Sequence, residues 1–260
     1  MSRIIAIVNQ KGGVGKTTTA INLAAALAEN GQRTLLVDMD PQGNATTGLG
    51  VTKSTLKQTI FEVLLEKCSW EDAVVPTKVE NLDILPSTLD LAEAAVDLAT
   101  LPERLLRLRK GLVGTTDRYT YIIIDTPPSL GLLPINCLAA AEGIIIPMQC
   151  EFYALEGLAQ LMHTIRLIKR RINLKLEITG IVLTMVDPRP RLFRDVIKSV
   201  RKQYGVRVFK SDIPRTVRIA EAPSYGESII SYKPKGKGAR AYRALAKEVE
   251  ERCQVNVETD

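Results

Sequence analysis

The densest chemistry lies near the N-terminus, in Gln10-Lys11-Gly12-Gly13-Val14-Gly15-Lys16-Thr17-Thr18. Glycines let backbone N–H groups curl round phosphate oxygens, and a helix starting directly behind them adds its positive dipole end. Lys16 has the reach for β- and γ-phosphates, and the Thr17 hydroxyl can ligate Mg²⁺. Residues 11–18 therefore read as nucleotide contacts. Gln10 stands where the general phosphate-loop pattern has glycine, and an additional lysine, Lys11, opens the loop. Two lysines exceed the need of one triphosphate. Lys11 could instead point outward to phosphates held by a second subunit.

Three aspartates follow apolar runs: Asp38 and Asp40 after residues 34–37, and Asp125 after residues 121–124. A carboxylate buried at a ligand edge is costly unless it is paired or bound to metal, and Mg²⁺ with its waters supplies such a partner. Asp125 is expected to act as the Walker B acid and Asp38 to support Mg²⁺ through water. Helix capping or turn chemistry is the competing role for Asp38 and Asp40.

These groups need a frame, and the apolar pattern predicts one. Runs at 4–8, 34–37, 82–85, 121–124, 143–146 and 178–183 are isoleucine-rich and mostly apolar on both faces. That is the mark of strands buried in a parallel sheet. Residues 206–209 could add an edge strand. Helical stretches fall at 17–30, ending at Gly31, and at 155–171, 192–204 and 240–253. The alternation predicts an α/β fold, a doubly wound, mostly parallel sheet with helices on both faces. One domain is expected over residues 1–253, followed by a polar, frayed tail at 254–260. In such sheets ligands bind beyond the carboxyl ends of the strands, where the loop and the aspartates fall.

The chain has 260 residues, 45% hydrophobic and 25% charged, which excludes a disordered chain or a disulfide-stapled miniprotein. Aromatics at 5% argue against stacking platforms for single-stranded nucleic acid. Four cysteines without a C-x-x-C pair, and one histidine, argue against tetrahedral zinc and for buried thiols in a reducing compartment. The N-terminus does not read as a signal peptide, and no apolar run approaches a membrane span. A cytoplasmic location is expected.

The block Lys11-Gly12-Gly13-Val14-Gly15-Lys16-Thr17-Thr18 resembles the deviant Walker A of the ParA/MinD superfamily. Further blocks at 37–46, 121–131, 147–157 and 213–226 look like those of ParA/Soj-type partition ATPases and span nearly the whole chain. The resemblance implies an ATPase that uses Mg²⁺ and forms a nucleotide-sandwich homodimer, with Lys11 acting across the dimer in place of an arginine finger. It implies that Asp40 orients the attacking water and that Glu151 lies at the dimer interface near the partner's ribose. It places an adenine pocket at Met185, Pro214 and Arg215, beside the Asp187-Pro188 turn. Turnover is expected to be slow unless stimulated by a ParB-type protein.

Residues 185–220 hold seven arginines and three lysines against three aspartates, a net +7 that exceeds the +6 of the whole chain. Such localisation fits non-specific contact with duplex DNA phosphates and association with the nucleoid. By the same resemblance, Arg189 and Arg218 are the DNA-binding arginines, and Lys233, Lys235, Lys237 and Arg240 could extend the patch. Arg201 and Lys202 read as a solvated helix face. A relative that positions a protein cargo on the nucleoid would share all these residues. A MinD-like membrane-associated regulator needs an apolar C-terminal helix face, and Glu248–Gln254 is too polar for one. An iron–sulfur role for Cys137 and Cys150, a pure repressor role, and catalysis by His163 are disfavoured. Trp70 reads as packing.

Overall fold

The structure is a computed structural model that describes residues 2–128, 131–151, 154–187 and 189–255. Seven strands form one sheet: β1 (Arg3–Ile7), β2 (Thr34–Asp38), β3 (Val75–Pro76), β4 (Leu82–Leu85), β5 (Tyr121–Asp125), β6 (Gly143–Gln149) and β7 (Glu177–Thr184). Their order is β3-β4-β2-β5-β1-β6-β7, and all pairs are parallel except β3 with β4. The six predicted strands are present. β3 is an addition that pattern reading missed, because two residues ending in proline carry no periodicity.

Alternate residues of each strand enter opposite faces. Ala6, Leu35, Ile122 and Ile144 join one apolar core, and Ile5, Leu36, Ile123 and Ile145 join the other. Both faces are therefore roofed, as the all-apolar strands require. The helices used below are α1 (Lys16–Glu29), α2 (Ala154–Arg171), α3 (Arg191–Tyr204) and α4 (Lys237–Val255). Gly31 follows α1 with φ +82°, the left-handed form that glycine adopts without strain.

Residues 206–209 do not form the expected edge strand. Gly205–Arg207 is a single 3₁₀ turn, and pairing to β7 shrinks to one bridge, Ile181 to Val208. Side chains stand in for a ladder. Arg252 donates to the carbonyls of Thr179, Arg207 and Val208 at 2.8, 3.3 and 3.1 Å, and its guanidinium lies 4.0 Å from the Phe209 ring centroid. Glu248 accepts from the backbone N–H groups of Lys210 and Ser211. The return segment thus rises along β7 toward the carboxyl edge, held by α4.

α4 extends through Val255, two residues beyond the expected end of the domain; residues 256–260 of the expected tail lie outside the described residues. Its Leu245, Ala246, Val249 and Cys253 are buried, so its apolar face packs in the core and is not presented outward. Among the described residues no helix is long and apolar enough to cross a membrane. Cys137, Cys150 and Cys253 are buried free thiols and Cys68 is half-buried. His163 is exposed on α2. Trp70 packs edge-on against Tyr119 and donates to the Val113 carbonyl at 3.0 Å.

Candidate nucleotide site

β1 ends at Ile7, and the chain turns through residues 8–15 before α1 starts at Lys16. Gly13 (φ +74°) and Gly15 (φ +88°) hold the left-handed conformations that make this turn, and Gly15 is the N-cap. A Cβ added at Gly12 or Gly13 would meet no heavy atom within 4 Å, so packing within the chain does not demand glycine at either position.

Distant side chains set the loop's shape. Thr184 Oγ1 donates to the Val14 carbonyl at 2.8 Å, and Gln149 Nε2 donates to the Gly13 carbonyl at 3.1 Å. Asn9 bridges the Pro147 carbonyl and the Lys11 N–H. All four contacts leave the loop's other N–H groups uncommitted. Met185, at the end of β7, has φ +51°, and its Cε would lie 4.0 Å from a Cβ placed on Gly15. Met185 therefore stands beside the phosphate loop. Val186 bridges Pro214 and accepts from the Arg215 N–H, so these three positions meet at one edge. Pro188 lies outside the described residues.

Lys16 is 6% exposed, and its Nζ donates to the Lys11 carbonyl at 3.2 Å. Burial lowers its pKa, while Asp125 and Asp40 pull it back up. Lys11 behaves differently. Its side chain is half exposed and ion-paired with Glu151, at the far end of β6, so its amine leaves its own loop.

The aspartates differ sharply. Asp38 is fully buried; its Oδ2 accepts from the Thr46 N–H and hydroxyl, both at 2.8 Å, and its Oδ1 from the Asp40 N–H at 3.2 Å. Burial pushes it up to about 6 despite these bonds. Asp40 is 8% exposed, and its Oδ1 accepts from the Gln42 N–H at 2.9 Å. That is the turn chemistry weighed as its alternative role, but it occupies one oxygen only. Asp125 is fully buried, and neither carboxylate oxygen has a hydrogen-bond partner. Burial, then Asp38, pushes its carboxyl well above the usual range; the Thr17 hydroxyl and Lys16 ammonium act against this.

An unpartnered buried carboxylate beside a threonine hydroxyl is the donor set of a hard cation, so these residues fit Mg²⁺. Among the described residues no three His, Cys, Asp or Glu side chains converge to hold a metal. Thr17 and Asp125 would therefore hold Mg²⁺ together with nucleotide oxygens, with Asp38 reaching it through water. Mg²⁺ supplies neutralisation of the β- and γ-phosphate charge. In such a site the 12–18 backbone would cradle the phosphates, while the structure itself buries the Lys16 ammonium and fixes the Asp40 backbone. Ser87 Oγ does the last by donating to the Asp40 carbonyl at 2.9 Å.

Sequence reading missed Asn9, Thr46, Ser87, Gln149 and Thr184. Ser87, Gln149 and Thr184 each lie at or just past the carboxyl end of a strand, which was the available signal. The two candidate DNA arginines sit elsewhere and are both exposed. Arg189 makes a two-pronged pair with Asp187, at 2.8 and 2.6 Å, which holds Asp187 down to about 2. Arg218 pairs with Glu221 at 2.7 Å.

A family model described as an AAA domain matches residues 2–178. The chain is 51% identical over 249 residues to the sporulation initiation inhibitor protein Soj of Bacillus subtilis, covering 96% of this chain and 98% of that protein. It is 51% identical over 252 residues to the chromosome partitioning protein ParA of Myxococcus xanthus, covering 97% and 89%. The chain belongs to the ParA/Soj family. A solved cobyrinic acid a,c-diamide synthase from Mycobacterium smegmatis, with bound ADP and magnesium, superposes with a TM-score of 0.86 at 37% identity, covering 98% of this chain and 97% of that one. This ParA/Soj-family protein is an ATPase that uses ATP with Mg²⁺.

Proposed function

We propose that this DNA-segregation ATPase works as a nucleotide-controlled dimer. Mg-ATP drives two copies together, the dimer binds duplex DNA non-specifically, and a ParB-type partner stimulates hydrolysis and release. Lys16 and the 12–18 backbone hold the triphosphate, Thr17, Asp38 and Asp125 serve Mg²⁺, and Asp40 orients the attacking water. Met185, Pro214 and Arg215 line the base. Arg189 and Arg218, one from each side of that edge, contact DNA phosphates. The protein works in the cytoplasm, on the nucleoid.

The observation that carries this reading is the direction of Lys11. A lysine that serves its own triphosphate would turn into the loop, as Lys16 does. Lys11 turns out to Glu151 on the loop's outer lip, where a second copy's phosphates could exchange for the carboxylate. Hydrolysis by phosphate loops depends on charge neutralisation more than on covalent chemistry, so a lysine arriving from the partner supplies what one chain lacks. Lys11→Ala is expected to abolish ATP-dependent dimerisation, read by light scattering, while leaving a folded monomer that binds ATP. A Lys11→Ala protein that still dimerises with ATP overturns the trans role.

A further inference from the structure

The sheet's last strand leaves a groove at the end opposite the nucleotide. It lies where β7 begins, between α2 and the end of α3, and encloses about 430 Å³. Met162, Ile165 and Ile178 form its floor, and Arg166, Lys169 and Arg207 stand on its walls. Lys169 is paired with Glu177. Arg166 and Arg207 face no carboxylate within ion-pair distance among the described residues. Arg166 turns its Nε to the Met162 carbonyl at 3.3 Å, which holds the guanidinium at the rim.

Of the large apolar side chains exposed on the described surface, Leu167 on α2, Leu174 in the loop ahead of β7 and Val206 directly before Arg207 neighbour the groove's lining along the chain. An apolar floor ringed by cations in a concave site fits an interaction surface.

We infer that this groove docks an acidic protein segment, one that inserts an apolar side chain between flanking carboxylates. The volume suits one or two large side chains. The lining carries three cations against one carboxylate, Glu177, which Lys169 already pairs, and the two unpaired guanidiniums present the forks that carboxylates accept. Duplex DNA fits less well. Its phosphates meet convex cations and cannot desolvate an aliphatic floor. The site also lies at the amino ends of the strands, away from Asp40, Asp125 and the bridge at Pro214, so its occupant need not compete with nucleotide.

The test uses the full chain with ¹³C-labelled methionine and isoleucine methyls. The probe is a synthetic peptide of glutamates flanking one Leu-Phe pair. Its controls are the same peptide with lysine for glutamate, a polyglutamate peptide without the apolar pair, and a 20-base-pair duplex. The expected result is a saturable shift of the Met162, Ile165 and Ile178 methyls with the first peptide alone. The surface double variant Arg166→Glu/Arg207→Glu should weaken that binding at least tenfold and leave basal ATP turnover unchanged. No shift, an equal shift with either control peptide, or unchanged affinity in the double variant overturns the inference. A stronger shift from the duplex assigns the groove to nucleic acid and overturns it as well.

Discussion

Asp38 and Asp125 are register partners on adjacent parallel strands, each the last residue of its strand and each fully buried. Two carboxylates thus share one water-poor edge, but their partners are unequal. Asp38 is held by three protein donors, and Asp125 by none of hydrogen-bonding geometry. The strand pairing sets a charge problem that Mg²⁺ at this edge would relieve.

That inequality has a pH signature. Both carboxyls are raised in the folded chain, Asp38 to about 6, so the fold holds protons that the unfolded chain loses near pH 4. By linkage, both groups make stability fall as pH rises above about 4, with the Asp38 contribution lost through about 6. Asp125→Asn should flatten that fall and raise Tm at pH 7, by about 2–4 °C for each kcal/mol relieved. It should also remove the extra stabilisation that Mg-ATP gives over ATP alone. Thermal scans from pH 4 to 7 decide this, and a lower Tm for the variant at pH 7 contradicts it.

Thr46 joins two parts of the site. Its hydroxyl donates to Asp38 and accepts from the Ser87 N–H at 3.0 Å. Thr46→Val keeps the shape and the Thr46 N–H bond to Asp38, but it takes one of the three donors from Asp38 and orphans the Ser87 N–H in the interior. Such an orphan costs about 1–3 kcal/mol, and the lost bond to a carboxylate adds to it. Urea unfolding should show a loss of roughly 2–4 kcal/mol, with ATP turnover reduced because the Asp40 segment loosens. A change below 0.5 kcal/mol would mean that water replaces the hydroxyl.

The Lys11–Glu151 pair is half exposed on both sides, so it contributes little to folding, about 0–1 kcal/mol. Glu151→Ala should therefore leave Tm nearly unchanged and weaken ATP-dependent dimerisation about tenfold. Sedimentation with ATP separates the two effects. A stronger dimer would recast Glu151 as a restraint on Lys11 rather than a contact to the partner.

Arg189 and Arg218 are each paired with a carboxylate of their own chain, so contact with DNA requires an exchange of partners. Arg189→Ala with Arg218→Ala should weaken duplex binding and reduce the log–log salt slope by about 1.8. Unchanged affinity at low salt would move the interface to the exposed face of α3, where Arg194, Lys198 and Lys202 lie without acid partners among the described residues.

Much of the site was legible because it is local. The phosphate loop is nine consecutive residues whose glycines, lysine and threonine encode a turn, a dipole and a metal ligand at fixed spacing. The buried strands were legible for a similar reason: parallel strands covered on both sides need near-continuous apolar runs, and their carboxyl ends are where Asp38 and Asp125 fall. Tertiary structure decided what depends on approach between distant segments. Lys11 meets Glu151 across 140 residues, and Thr184 reaches Val14 across 170. The unpartnered state of Asp125 and the side-chain clamp that replaces an edge strand at 206–209 belong to the same class. Desolvation and partner choice are set by which groups the folded chain brings together, and spacing along the sequence does not encode that.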